Sequence, residues 1–254
     1  MSATFENVLY EVRGPLALIT LNRPSKRNAI SLGTLEELHQ AVTLAEHDEA
    51  VRVLAFTGAG DKAFASGSDL AEVEHRDLKK ALEPIVQGLA ERLERLPKPT
   101  IAAVNGAAAG LGADLALCCD FVIGARDATF VMSYVLRGLI PDGGGMYFLP
   151  RRVGLARAKE LIFSGRSIDA DEALSINMIE GVSAPECLIE DAVTMAKSMT
   201  VGSPDAIALT KSIMNKSFES TAEEIFALGS QAQGICYTTD SHRKAVTAFL
   251  NREK

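Results

Sequence analysis

Apolar positions fall along the chain in blocks of two periods, and each period predicts an element. Leu16 to Leu21 (LALITL) and Val51 to Thr57 (VRVLAFT) are short apolar runs, partly β-branched, the second stopped by Gly58, and both predict strands. Between them Leu35, Leu38, Val42 and Ala45 share one face of a helix, with Thr34 and Glu37 in capping-box spacing at its start. A second apolar face runs through Leu82, Ile85, Leu89 and Leu93 and predicts a helix ending before Pro97. Pro84 fits that helix only in its first turn, where its missing N–H breaks no ladder bond. Thr100 to Val104, Asp120 to Ala125 and Thr129 to Ser133 follow as short strands, with a helix from about Gly110 to Leu117.

Up to about Gly154, then, strands and helices alternate. Beyond it 156–163, 170–175, 186–199, 204–217, 221–234 and 240–251 all read as helices, with Ser203 before Pro204, Thr221 with Glu224, and Asp240 as start signals. The expected architecture is α/β: a core over residues 1–200 followed by a helical region over 201–254.

Composition narrows the function classes. A chain of 254 residues with 47% hydrophobic content can bury one large core, and 23% charged residues give no segment the signature of disorder. The net charge of −7 offers no general attraction to nucleic acid or anionic lipid. Basic residues at 23, 26 and 27 and at 244, 252 and 254 read as solvated surface. Cysteines at 118, 119, 187 and 236 have neither zinc-site nor disulfide spacing and read as reduced, buried thiols, so no metal is expected. The amino terminus lacks a basic region followed by an apolar run, and no stretch is long enough to span a bilayer, so a cytoplasmic protein is expected.

Three glycine-containing loops follow expected strands: Gly58 to Leu70 (GAGDKAFASGSDL), Asn105 to Leu115 (NGAAAGLGADL) and Gly138 to Gly145 (GLIPDGGG). Strand ends of this kind favour ligand sites. None is a dinucleotide fingerprint or a phosphate loop, because Gly110-Leu111-Gly112 lacks the third glycine and no Gly-Lys-Ser/Thr follows. The Gly-x-Ser-x-Gly elbow of a serine hydrolase is missing around Ser66 and Ser68. His75 and His242 are lone histidines without a partner in the sequence. Taken alone, Asp114 reads as a helix-surface or capping carboxylate and Asp142 as a turn residue.

Taken together, the loops resemble the crotonase (enoyl-CoA hydratase/isomerase) family. The resemblance runs from Leu21-Asn22-Arg23-Pro24 with Asn28-Ala29, through Ala63-Phe64-Ala65-Ser66-Gly67-Ser68-Asp69-Leu70, to Ala103-Val104-Asn105-Gly106 with Gly110 and Gly112. It continues through Ala116-Leu117 with Asp120 to Gly138-Leu139-Ile140-Pro141 with Gly144 and Gly145. It implies a spiral of ββα units with a helical carboxy-terminal trimerisation region, hence a homotrimer or hexamer. The implied substrate is an acyl-CoA thioester, with coenzyme A as part of the substrate and no separate cofactor.

By motif position, the resemblance makes the amides of Ser68 and Leu111 an oxyanion hole, where preorganised donors lower the barrier to enolate formation. The family usually has glycine at the second position; a leucine amide donates equally well, and its side chain is expected to narrow the pocket. Lys26, Ala29, Ser66, Asp69 and Leu70 are the implied CoA and substrate contacts, with Asp69 a brace for its loop.

The hydratase pair of glutamates is not kept. Asp114 stands at one place and Tyr134 at the other, and a tyrosine is no anionic base at neutral pH without a large pKa shift. Asp142 is the added carboxylate, as in dienoyl-CoA isomerases, ring-epoxide isomerases and aryl-CoA dehalogenases of the family. Carboxylates on two sides of an enolate suit a proton shuttle, so double-bond isomerisation is the expected reaction, with Asp142 the main proton-transfer group, Asp114 its helper and Tyr134 a hydrogen-bonding group. Hydration of a 2-enoyl-CoA is the alternative. An RNA-binding or scaffold role is a further one, which the acidic balance and the retained carboxylates oppose.

Overall fold

A computed structural model of the chain describes residues 5–73 and 78–252, so His75 and Lys254 lie outside the described residues. Strands β1 (Val8–Arg13) and β2 (Leu16–Leu21) form an antiparallel hairpin, and helix α1 (Leu32–His47) follows. Next come β3 (Val53–Gly58), β4 (Ala63–Ala65), the short α2 (Leu70–Val73) and α3 (Leu78–Arg95). A second unit consists of β5 (Thr100–Val104), β6 (Ala107–Ala109) and α4 (Leu111–Leu117), and a third begins with β7 (Phe121–Ala125), β8 (Thr129–Val131) and α5 (Gly145–Val153).

In each unit the longer strand enters one sheet and the shorter strand another. The six-stranded sheet has the order β1-β2-β3-β5-β7-β10 and the four-stranded sheet β4-β6-β8-β9, where β9 is Ser167–Asp169 and β10 is Gly181–Ser183. Because β3, β5 and β7 are parallel neighbours, as are β4, β6 and β8, each ββα unit is displaced sideways from the last and the chain winds as a spiral. The fold class expected from the sequence is the one observed. Strands β3 and β5 are buried at every position, the mark of parallel strands covered on both faces, which is why they read as unbroken apolar runs.

The remaining helices are α6 (Leu155–Ser164), α7 (Ala170–Ser175), α8 (Leu188–Met199), α9 (Pro204–Met214), α10 (Ala222–Thr238) and α11 (Asp240–Arg252). Ser203 caps α9, and Thr221 with Glu224 forms the expected capping box of α10. A nearly buried ion pair, Lys211 Nζ to Asp120 Oδ2 at 2.7 Å, ties α9 to the core. By contrast Phe218, Phe226 and Phe249 are 75%, 74% and 62% exposed. No helix among the described residues is long and apolar enough to cross a membrane.

Several expectations are corrected. Helix α1 starts three residues earlier, capped by Ser31 through the Thr34 amide, and Glu37 instead accepts hydrogen bonds from the amides of Glu6 and Asn7. Pro84 lies inside α3 rather than in its first turn. The buried Leu89–Leu93 face supplies tertiary packing that outweighs the lost backbone bond. The region past Gly154 is not all helical, since β9 and β10 return to pair with β8 and β7. Of the four cysteines only Cys118 and Cys119 are buried; Cys187 is exposed and Cys236 half-exposed.

Candidate active site

The loops after β4 and β6 come together over the amino end of α4. Gly112 makes this approach feasible, because a Cβ there would sit 2.3 Å from the Ala65 carbonyl oxygen. Gly67 turns the first loop at φ 101°, a left-handed value that disfavours side chains. A Cβ on Gly67 would lie 3.7 Å from the Leu111 amide nitrogen, so the two loops are in contact. On either side of Ser68 the backbone is pinned: Ile30 donates its N–H to Gly67 and Asp69 donates to Ile30, at 2.8 and 2.9 Å. Among the described residues the Ser68 and Leu111 amides themselves donate to no protein group. Leu111 is the first residue of α4, so its N–H lies at the positive end of the helix dipole.

Asn28 organises the first loop and was not assigned a role by sequence reasoning. It is buried at φ 54°, accepts a hydrogen bond from the Arg23 amide, and donates to the carbonyls of Ala59 and Ala63. The signal was its place in the motif, but nothing in a string of letters shows that its amide spans two loops. Asp69 is the brace expected. Its Oδ2 meets Arg23 at 2.9 Å and Lys26 at 3.4 Å, and Arg23 also donates to the Ala29 carbonyl. Burial works against the Asp69 charge, yet the bonds from Arg23 and Lys26 hold its carboxyl below the usual range. Lys26, Ser66 and Leu70 are exposed on the rim, and Ala29 is half-buried behind them.

Below the rim lies Asp114, fully buried on α4. Its Oδ2 accepts the Tyr134 hydroxyl at 2.7 Å and the Gly143 amide at 3.0 Å, while Oδ1 faces Gly145 without an aligned donor. Burial pushes this carboxyl up to about 7; the Tyr134 hydroxyl and the Gly145 and Gly143 amides pull it down, and the nearby Asp142 charge adds to the rise. Tyr134, 8% exposed, has its own hydroxyl raised by burial first and then by Asp114, so it stays protonated. Asp142 is half-buried in the loop before α5, and burial raises its carboxyl as well. Ile140, two residues before it, is 63% exposed. Cys118 donates its thiol to the Gly143 carbonyl at 3.4 Å and so steadies that loop.

Thus Ser68, Leu111, Asp114, Tyr134 and the Asp142 loop converge, and Lys26, Ala29, Ser66, Asp69 and Leu70 form the flank. Among the described residues no three His, Cys, Asp or Glu side chains cluster as metal ligands would.

The two-sheet ββα spiral is the crotonase fold, and its loops hold two unengaged amides beside a buried carboxylate. The chain belongs to the enoyl-CoA hydratase/isomerase family, which it matches over residues 11–254. It is 36% identical over 252 residues to a crotonyl-CoA hydratase of Syntrophomonas wolfei, covering 98% of this chain and 97% of that protein. It is equally, 36%, identical over 251 residues to a 1,2-epoxyphenylacetyl-CoA isomerase of Escherichia coli, covering 96% and 95%. Among solved structures, an enoyl-CoA hydratase from Bacillus anthracis superposes with a TM-score of 0.92 at 33% identity and 97% coverage of both chains. The protein is accordingly an enzyme of the hydratase or acyl-CoA isomerase type.

Proposed function

We propose that this enzyme shifts a carbon–carbon double bond of an acyl-CoA thioester by carboxylate-mediated proton transfer through an enolate. The observation that carries the reading is the pairing of a fully buried Asp114, clamped by Tyr134 and Gly143, with a second, more accessible carboxylate, Asp142. The Ser68 and Leu111 amides receive the thioester oxygen as charge develops on it. Asp142 takes the proton from carbon and returns one further along the conjugated system, so the electron pair moves and no net oxidation occurs. No cofactor is then needed beyond the CoA carried by the substrate. Asp114 cannot touch a substrate directly and works through the Tyr134 hydroxyl. When Asp114 is charged that hydroxyl points at it; when Asp114 holds a proton, the hydroxyl is free to donate toward the enolate. Lys26, Ala29, Ser66, Asp69 and Leu70 form the CoA and thioester flank.

Hydration of a 2-enoyl-CoA is the second reading, favoured by the name of the Syntrophomonas relative, which is as similar as the isomerase. Incubating the enzyme with 3-enoyl, 2-enoyl and dienoyl thioesters in deuterated water separates them by mass spectrometry. We expect deuterium in a rearranged product without addition of water; a product dominated by hydration would replace this reading with the second.

The assembly belongs to the same proposal: a homotrimer, or two trimers as a hexamer, with residues 201–254 as the contact region. The exposed Phe218, Phe226 and Phe249 support it, since a monomer seldom leaves such side chains in water. A stable monomer by sedimentation at micromolar concentration would contradict it. Four free cysteines support a reducing, cytoplasmic setting.

A further inference from the structure

An apolar pocket is walled by α1, α3 and α4. Leu35 and Leu38 come from α1, Val86 and Leu89 from α3, and Leu111 and Leu115 from α4, with Gly143 closing one end. It adjoins the site through two residues. Gly143 turns its amide to Asp114 and its Cα side to the pocket, and Leu111 turns its amide to the space over Gly67 and its side chain inward. Through Leu111 and Gly143 this apolar space therefore adjoins the residues assigned to the thioester.

The pocket is filled. Its free volume is about 10 Å³, room for no more than one water-sized group. Leu111 closes the end nearest Gly143: it is 7% exposed, and its Cδ1 reaches to within 2.5 Å of where a Gly143 Cβ would sit. Interiors this closely packed do not yield without rearrangement. The remaining walls, Leu35, Leu38, Val86, Leu89 and Leu115, are buried and belong to three helices that pack against one core.

We infer that Leu111 is a specificity residue that closes this pocket to the acyl tail, restricting the enzyme to short acyl thioesters whose tail beyond the reacting carbons is about methyl-sized. The inference rests on the reading of this site as one for acyl-CoA. It leaves the oxyanion role of the Leu111 amide untouched, because truncating the side chain keeps the N–H.

Binding of saturated butyryl-CoA and decanoyl-CoA, measured by titration calorimetry, tests it without requiring any turnover. The wild type should bind the short thioester at least about tenfold more tightly, the scale on which apolar pockets discriminate by size. Leu111→Ala should erase that preference by admitting the long chain. Val86→Ala, which opens the opposite wall and touches none of the reacting groups, should shift the ratio in the same direction and serves if the first variant folds poorly. Equal affinity for both thioesters in the wild type, or a preference that neither variant moves, would overturn the inference while leaving the acyl-CoA reading in place. Binding of neither thioester would overturn both.

Discussion

The two walls of the site are built from different materials. The inner wall is a helix, α4, buried at every position, and its Asp114 is fixed by two donors in a medium that disfavours its charge. The outer wall is the loop before α5, where Asp142 is half-buried between the exposed Ile140 and the glycines that open the helix. A carboxylate that is over-determined is well suited to setting a field and poorly suited to moving a proton to and from substrate carbon. One in a half-exposed loop has the opposite balance. On this account Asp142 transfers the proton and Asp114 tunes.

The sharpest break in this comparison is Asp142→Asn. It should lower turnover by at least about a hundredfold, the low end for a lost general base, with CoA binding largely intact in a titration.

Asp114→Asn should cost less in turnover, about tenfold, or roughly 1.4 kcal/mol in the barrier, and more in the pH dependence of stability. An aspartate raised from 3.8 to about 7 in the fold binds more protons folded than unfolded within that window. Its contribution therefore makes the fold less stable as pH rises from 3.8 toward 7, by up to about 1.4 kcal/mol per pH unit. Denaturant unfolding at several pH values should show this slope in the wild type and its loss in Asp114→Asn. Asp69, whose carboxyl is held low, acts below this window and in the opposite direction.

Tyr134→Phe removes the hydroxyl through which Asp114 acts while keeping the ring, so turnover should fall by about as much as in Asp114→Asn, roughly tenfold. Because the Tyr134 hydroxyl pulls the Asp114 carboxyl down, its loss should also move the Asp114 step in the pH–rate profile to higher pH. Smallest is Lys26→Ala on the exposed rim, for which CoA affinity should weaken by about threefold at low salt and by less as salt rises.

The sequence made much of this arrangement legible, for identifiable reasons. Strands β2, β3 and β5 are long enough for their apolar runs to register, and the helix Ala170–Ser175 has the bounds expected. Two of the three short second strands were not legible: Ala63–Ala65 and Ala107–Ala109 are alanine-rich triplets inside glycine loops, and alanine favours helix when read locally. They are strands only because they pair with one another across the spiral. The site follows the same rule. Asp114, Tyr134 and Asp142 could be picked out by their places in motifs, whereas the bond from Tyr134 to Asp114 and the bracket at Asn28 join residues that are far apart in sequence.

Which wall moves the proton is best read at the carbon itself. Exchange of deuterium into the substrate, followed by nuclear magnetic resonance on the best thioester of the panel, should be compared in the wild type, Asp142→Asn and Asp114→Asn. The account predicts exchange nearly abolished in Asp142→Asn and only slowed in Asp114→Asn. Near-normal exchange in Asp142→Asn together with none in Asp114→Asn would contradict it and leave a single-carboxylate mechanism at the inner wall.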